Sequence, residues 1–352
     1  MSQFQKRRGF SLVELLVLIA IIGVLIGMML PAVRRVQPAA RRTHCLNNLR
    51  QIALATLNYE SAHMEFPAGT GIASLSDIGS GDKLSGFVAI LPFIEQNNLY
   101  ESITEGSTID GTYHPPCPPL YGDSNPNWET RVAGFLCPAV AVESYGIGPI
   151  HYGLCIGDRA RNIASAESLR GGFNGSLKIV FDDVTDGSSN TILAGEICGS
   201  NGAGIESPFA INQPASILDD PSKCFDLVNE SKSNWKFKKG VQLSPIGRGG
   251  HWADGRAGVA LFNTILPPNS PSAAVKGSVG VDGIYSASGP HPGTINVSFF
   301  DGSTHSINLE IDAGNSSLPT PKAEEMASKN PTRYGVWGAL GTINGGEVVN
   351  EF

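Results

Sequence analysis

The longest apolar stretch of the chain, residues 10–30, sets the first limit on how it can fold. Apart from apolar residues and glycine, it contains only Ser11 and Glu14. As an α-helix rising 1.5 Å per residue, a stretch of this length crosses roughly the 30 Å hydrocarbon layer of a bilayer. The sequence therefore predicts one membrane-spanning helix close to the N-terminus.

A secretory signal peptide and a plain anchor are the two simplest alternatives. A signal peptide has a shorter apolar region that ends in small residues of the Ala-x-Ala kind, whereas the sequence here continues Pro-Ala-Val-Arg from Pro31. A plain anchor fits the hydropathy, but a carboxylate such as Glu14 costs a few kcal/mol inside a spanning helix. Such a residue usually faces a protein partner, so Glu14 argues for more than anchoring.

The segment RRGFSLVELLVLIAIIGVL resembles the N-terminal signature of type IV prepilins and type II secretion pseudopilins. The resemblance implies that prepilin peptidase cuts between Gly9 and Phe10 and that Phe10 becomes the methylated N-terminus. It also implies that Glu14 serves assembly by pairing with the terminal amine of a neighbouring subunit. An ion pair in hydrocarbon is far less costly than a lone carboxylate.

The same resemblance gives the orientation, which basic residues on both sides of the apolar stretch leave undecided. It implies a cytoplasmic leader, a single pass through the inner membrane and a head on the periplasmic side, with surface or filament association left open. We expect a cleaved leader at residues 1–9, a spanning helix at 10–30, an amphipathic continuation at 31–65 and a globular head at 66–352. Pro38 is expected to bend the helix.

The amphipathic continuation rests on a helical pattern after the span. Leu46, Leu49, Ile52, Ala53 and Leu57 recur at helical spacing with polar residues between them. This pattern predicts that one face of the helix packs against the head.

The head alternates short apolar runs with turn residues, which favours antiparallel strands. Strands are predicted at 177–181 and 191–196 around an Asp-Gly turn at 186–187, and on both sides of the Asp301-Gly302 turn. A second helix is predicted around residues 94–103. The fold class is thus α+β, with a long N-terminal helix packed on a strand-rich head of the pilin type.

The charge distribution excludes nucleic acid as a partner. Residues 1–50 hold eight of the 25 Lys and Arg residues and one of the 32 Asp and Glu residues, so 17 basic and 31 acidic side chains remain for the rest. An acidic head of this kind repels a phosphate backbone.

Short segments along the head, among them FLCP, HWADGRAG and SGPHPGTINVSFFDGSTHSI, resemble a large bacterial family that joins a prepilin-type start to a head of unknown function. The family signature is a His followed by nine residues and Asp-Gly, here His291, Asp301 and Gly302. We interpret it as structural, with His291 hydrogen-bonded to the Asp301-Gly302 hairpin.

Acidic residues and histidines offer two further sites, which we weigh separately. Asp182, Asp183 and Asp186 crowd one turn without the spacing of a calcium loop, so turn chemistry explains them best, and calcium there or beside Asp254 stays open. No other cofactor or metal is expected.

A metal or hydrolase cluster is conceivable from the residues His251, Asp254, His291, Asp301 and His305. The chain has neither an HExxH nor a Gly-x-Ser-x-Gly motif. We therefore expect no enzyme.

The chain has six cysteines without zinc-finger spacing. Six cysteines allow 15 complete pairings, which sequence alone does not resolve. Cys45 and Cys137 fall in segments that resemble the family, and this resemblance favours a disulfide between them that joins the helix to the head. Buried free thiols are expected for the others.

The function expected from these features is that of a pilin-like or pseudopilin-like subunit. Its partners would be prepilin peptidase, other pilin-like subunits and the proteins of a type IV pilus or type II secretion-type assembly. The alternative is a binding head, for example for glycans or in adhesion, that is anchored in the envelope and uses the prepilin pathway only for delivery.

Overall fold

The structure is a computed structural model, and it describes residues 11–122, 125–140, 147–165, 170–173, 175, 179–198, 208–229, 235–326, 329–347 and 349. The helices are α1 (Leu12–His63), α2 (Gly86–Ala89), α3 (Asn97–Thr104), α4 (Pro126–Glu129), α5 (Ser216–Asp219), α6 (Ala323–Met326) and α7 (Gly335–Gly341). The strands are β1 (Ser107–Ile109), β2 (Thr112–His114), β3 (Tyr152–Cys155), β4 (Ile192–Glu196), β5 (Ala210–Gln213), β6 (Leu261–Phe262), β7 (Ala273–Val275), β8 (Gly283–Ile284), β9 (Thr294–Phe299) and β10 (Thr304–Asn308).

Helix α1 is continuous for 52 residues, about 78 Å at the usual rise. Ser11 caps its N-terminus, because the Ser11 hydroxyl accepts from the backbone N–H of Val13 and the Glu14 carboxylate accepts from the N–H of Ser11. Its C-terminus is closed by Met64, which has a left-handed backbone (φ 59°). The predicted long helix is therefore confirmed, and it ends at His63.

The two halves of α1 have different surroundings. All side chains from residue 11 to residue 29 are exposed, and Leu12–Met29 is a candidate membrane span by length and composition, with a mean hydropathy of 2.8. Farther along, Cys45, Leu49, Ile52 and Ala53 are buried. These residues form one stripe at three- and four-residue spacing, and α1 contacts β9, β10 and β4. One face of the helix thus packs against the head, as the periodicity predicts.

The central sheet has the strand order β10-β9-β4-β3-β6. Its neighbours are antiparallel except for β3 and β6, which run parallel. A smaller sheet has the order β5-β7-β8, and β1 pairs with β2. The combination of a long helix with antiparallel-rich sheets confirms the α+β fold class.

The hairpin at Asp301-Gly302 is confirmed, since β9 and β10 pair antiparallel across it with Ser298 opposite Thr304. The second helix is also confirmed, as α3. The strand predicted at 191–196 is confirmed as β4, but the one predicted at 177–181 is wrong in its described part: Phe181–Asp183 is a 3-10 helix, and residues 176–178 lie outside the described residues. Strand β4 pairs with β3 and β9 instead, because a fully buried central strand needs a partner on each side.

Candidate functional site

A group of buried polar residues lies where α1 meets the central sheet. Cys45, in the buried stripe of α1, forms a disulfide with Cys137, with a Cα–Cα distance of 5.3 Å. Both residues are buried. This is the pair that the family resemblance favours, and it ties the helix to the head 92 residues farther along the chain.

Hydrogen bonds reinforce the disulfide on both sides. The Asn48 side chain donates to the carbonyl of Leu136 at 2.8 Å and to the Tyr152 hydroxyl at 3.2 Å. The backbone N–H of Cys137 donates to Nδ1 of His151 at 2.8 Å. One turn of α1 is thus fixed to the loop that carries Cys137 and to β3.

A buried histidine and a buried carboxylate lie next to the disulfide. Nε2 of His291 is 3.1 Å from Oε1 of Glu196 and 3.7 Å from Sγ of Cys137. We refer to Cys45, Cys137, Glu196 and His291 as the Cys-His-Glu cluster. Its four ligand atoms lie within 4.8 Å of one another, and it is the only such group of potential metal ligands among the described residues.

Asn296 on β9 holds Glu196 in place. Its backbone N–H donates to Oε2 at 2.9 Å, and its side-chain amide donates to Oε1 at 3.0 Å. The amide oxygen of Asn296 accepts from the Ser306 hydroxyl at 2.6 Å, and that hydroxyl accepts from Nε of Arg42 at 2.9 Å. A chain of hydrogen bonds therefore runs from α1 across β10 and β9 to β4.

Burial controls the protonation of the groups around the cluster. Burial lowers the pKa of His151 to about 4, so its ring is neutral at pH 7. Burial, and after it the charge of Glu196, raise the pKa of the Tyr152 hydroxyl and of the Cys198 thiol well above their ordinary values. Cys198 is therefore a thiol, not a reactive thiolate.

The remaining described cysteines also match the expectation of buried free thiols. Cys117, Cys155 and Cys224 are buried and unpaired with another cysteine. Burial raises the pKa of Cys155 and of Cys224 to about 12 and also raises that of Cys117. These thiols are therefore poor nucleophiles at neutral pH.

The predicted hydrogen bond between His291 and the Asp301-Gly302 hairpin is wrong. His291 precedes β9 and the turn follows it, so the extended strand separates them by roughly 20 Å. His291 instead contacts Glu196 and Cys137 at the other end of β9. The histidine of the motif therefore contacts a different part of the sheet from the one that we predicted.

The Asp301-Gly302 turn has its own contacts. The Asp301 carboxylate accepts from the N–H of Ser303 at 2.8 Å, and Gly302 has a left-handed backbone with φ 83°. A Cβ at Gly302 would touch Leu54 and Leu57 of α1. Both ends of the His-x9-Asp-Gly segment therefore lie against α1, His291 at the Cys45 disulfide and the turn at Leu54 and Leu57.

The metal or hydrolase cluster that the sequence made conceivable does not form among the described residues. Nε2 of His251 is hydrogen-bonded to the carbonyl oxygen of Leu120 at 2.9 Å. The Asp254 carboxylate forms an ion pair with Arg256 at 2.8 Å and accepts a hydrogen bond from the Tyr121 hydroxyl at 2.7 Å. His305 lies exposed on β10, with its ring against Phe299.

In the acidic turn at Asp182, Asp183 and Asp186, the carboxylates of Asp183 and Asp186 accept hydrogen bonds from backbone N–H groups. The Asp183 carboxylate accepts from the N–H of Val180 at 2.9 Å. Asp186 accepts from the N–H groups of Gly345 at 2.6 Å and Gly346 at 2.8 Å. The bond of Asp183 is the local turn chemistry that the sequence favours, whereas Asp186 binds a segment that is distant in sequence.

Three residues of the site escaped the sequence reasoning. Glu196 and Asn296 are polar residues within apolar strands, and that contrast is the signal that marks them. His151 has no comparable signal. The capping box Ser11-Leu-Val-Glu14 was also overlooked, although its Ser-x-x-Glu spacing is visible in the sequence. Gly9 and Phe10 lie outside the described residues.

Two sequence families match the chain. The prokaryotic N-terminal methylation motif matches residues 4–30, the segment that holds Gly9, Phe10 and Glu14. The family described as proteins of unknown function, DUF1559, matches residues 34–314, which is most of α1 beyond the span together with the cluster and the Asp301-Gly302 turn. No curated protein and no solved structure matches the chain. The exposed apolar helix carries a prepilin-type motif. The protein is therefore a membrane-anchored, pilin-like chain whose head belongs to the DUF1559 family.

Proposed function

We propose that the chain is a pilin-like subunit that is processed by prepilin peptidase and then assembles with other pilin-like subunits of a type IV pilus or type II secretion-type machine. It resides in the inner membrane with its head on the periplasmic side until it is incorporated. It acts by packing and not by catalysis.

The observation that carries this proposal is the first half of α1. Its side chains are exposed on every side of the helix over Leu12–Met29. An apolar surface of this extent needs lipid or neighbouring helices around it. The same helix can therefore lie in a membrane and later pack against copies of itself or related subunits.

Glu14 supports packing over mere anchoring. In the single chain its carboxylate accepts one hydrogen bond, from the N–H of Ser11 at 2.8 Å. Cleavage after Gly9 would create a positively charged amine on Phe10. A neighbouring subunit's amine can then offset the cost of placing Glu14 in an apolar surrounding.

The processing step is tested at the mature N-terminus of the protein expressed beside a prepilin peptidase. We expect mass spectrometry to find a methylated Phe10 in the wild type, and an uncut precursor for Gly9→Val because a branched side chain blocks the scissile bond. Gly23→Val is the matched control, because a Cβ at Gly23 meets nothing within 4 Å and cleavage should be normal.

Fractionation of the same cells tests assembly. We expect the processed wild type in sheared filaments or in a crosslinked complex with other subunits. An intact Met1, or a terminus near Ala32, would overturn the processing step. A correctly processed protein that stays uniformly as single chains in the membrane would favour the anchored binding head instead.

A further inference from the structure

The Cys-His-Glu cluster combines ligand types that zinc prefers. Two cysteine sulfurs, an imidazole nitrogen and a carboxylate are the usual donors of zinc sites. The four residues come from α1, from the loop after Phe135, from the end of β4 and from the loop before β9. All four are buried, so the fold holds them together away from water.

The distances fit a tetrahedral ion. With ordinary zinc bond lengths, a ligand sulfur and nitrogen lie about 3.5 Å apart and a nitrogen and an oxygen about 3.4 Å apart. Nε2 of His291 is 3.7 Å from Sγ of Cys137 and 3.1 Å from Oε1 of Glu196. Two of the six edges of the tetrahedron thus already have suitable lengths, and the edge between the two sulfurs requires them to separate to about 3.8 Å.

Groups beyond the four ligands also suit a metal. Asn296 donates two hydrogen bonds to the Glu196 carboxylate, and the N–H of Cys137 is fixed by His151. Such outer contacts orient ligands and are a regular feature of metal sites. None of these hydrogen bonds uses a sulfur atom, so opening the disulfide removes none of them directly.

We propose that the dithiol state of this head binds one Zn²⁺ through Cys45, Cys137, His291 and Glu196. Zinc and the disulfide are then alternative links between α1 and the head. A newly made chain carries the dithiol, so zinc can hold the helix on the head before oxidation. This role is independent of pilus or secretion assembly.

The zinc-bound state forms in two steps, reduction of the disulfide and then binding of the metal. In the test, a trialkylphosphine takes the oxygen of one water and becomes the phosphine oxide, while its two electrons and the two water hydrogens convert the disulfide into two thiols. Zn²⁺ then forms two Zn–S bonds and the two thiol protons pass to the buffer. His291 binds as a neutral imidazole through Nε2, with its proton on Nδ1.

The experiment uses the full chain in detergent, reduced without oxygen and titrated with Co²⁺ and then Zn²⁺. We expect one equivalent of Co²⁺, with the visible bands of a tetrahedral site and a sulfur charge-transfer band, which Zn²⁺ displaces. The disulfide form should give neither signal. His291→Ala and Glu196→Gln should weaken binding at least about tenfold, because even outer contacts cost 10- to 100-fold.

Two matched controls address the other thiols and histidines. Cys224→Ser removes a buried free thiol from a different part of the core, and His305→Ala removes an exposed histidine. Both should keep one equivalent and unchanged affinity. A separate measurement needs no variant: Zn²⁺ should slow alkylation of Cys45 and Cys137 in the reduced wild type, as read by peptide mass mapping.

Three results would overturn the proposal. They are no stoichiometric Co²⁺ or Zn²⁺ binding by the reduced wild type, equal affinity of folded His291→Ala and wild type, and alkylation of Cys45 and Cys137 at a rate that zinc does not change.

Discussion

At the scale of single residues, the buried carboxylate of Glu196 beside the disulfide has buried polar partners. Glu196 accepts two hydrogen bonds from Asn296 and faces His291. Burying a carboxylate is tolerable only with such partners. The family resemblance points to Cys45, Cys137 and His291, but Glu196 was not predicted because its partners lie about a hundred residues away in the chain.

His291→Ala should lower the free energy of unfolding by about 1.5–3 kcal/mol, the usual range for a hydrogen bond to a charged group. The loss stays moderate because Asn296 still donates twice to Glu196. Urea unfolding of the full chain in detergent measures it. His305→Ala is the control, and an equal loss in both variants would show that the contact of His291 with Glu196 contributes nothing specific.

Stability should fall between pH 7 and pH 5 because of two buried histidines. Burial lowers the pKa of His151 and of His251 to about 4, whereas an unfolded histidine titrates near 6.5. The unfolded chain therefore takes up protons first as the pH falls, and this stability is present above pH 6.5 and lost toward pH 4. The expected loss is about 2 kcal/mol per histidine between pH 7 and 5.

Urea unfolding at several pH values tests this dependence. His151→Asn can keep an acceptor for the N–H of Cys137 without titrating, so its loss between pH 7 and 5 should be smaller than that of the wild type. An equal pH dependence in the two proteins would show that His151 is not the group responsible.

At the scale of elements, periodicity predicted helices and one hairpin well. The stripe of α1 and the alternation around Asp301-Gly302 are local patterns, so a single sequence reveals them. The hairpin around residues 186–187 failed because β4 pairs with β3 and β9, and Asp186 uses its carboxylate on Gly345 and Gly346. Contacts with residues that are distant in sequence therefore determine the conformation of that segment.

The turn between β9 and β10 should tolerate Gly302→Val poorly. A β-branched residue resists a φ of 83°, and the cost is about 1–3 kcal/mol. Gly302→Asn is the matched control, since asparagine accepts the left-handed region more readily. In thermal unfolding, the melting temperature should be highest for the wild type, lower for Gly302→Asn and lowest for Gly302→Val. A valine variant with the melting temperature of the wild type would contradict the turn geometry.

The disulfide should contribute strongly to the attachment of α1. Closing a loop of this length restricts the unfolded chain by about 4–5 kcal/mol in the chain-entropy account, and measured losses for native disulfides are typically 2–5 kcal/mol. Cys137→Ser should therefore lower the melting temperature of metal-free protein markedly, and Cys224→Ser much less. If a phosphine lowered the melting temperature of Cys137→Ser as much as that of the wild type, the disulfide would not be the stabilising link.

At the scale of the whole molecule, the order of strands was beyond sequence reasoning. β9 lies between β10 and β4, and β3 lies between β4 and β6, so partners come from segments that no local pattern connects. The overall plan was nevertheless predictable, because an exposed apolar helix and a strand-rich head follow from the composition of their segments. Helix α1 joins the two parts, because it carries Glu14 at one end and Cys45 where it packs on the head.

The most direct test of assembly replaces Glu14 with leucine. Glu14→Leu leaves the bond after Gly9 intact, so processing should be normal. Membrane insertion should be equal or better because a costly carboxylate is gone. Ser11→Ala is the control for helix capping, because it removes the hydroxyl that accepts from Val13 and keeps the carboxylate of Glu14.

Self-association is measured by crosslinking and by recovery in sheared or secreted fractions. We expect processed Glu14→Leu to fail to associate, because the neighbouring amine loses its partner at a cost of several kcal/mol per contact. Ser11→Ala should associate like the wild type. Equal association of Glu14→Leu and wild type would contradict the pilin-like function and leave the anchored binding head in its place.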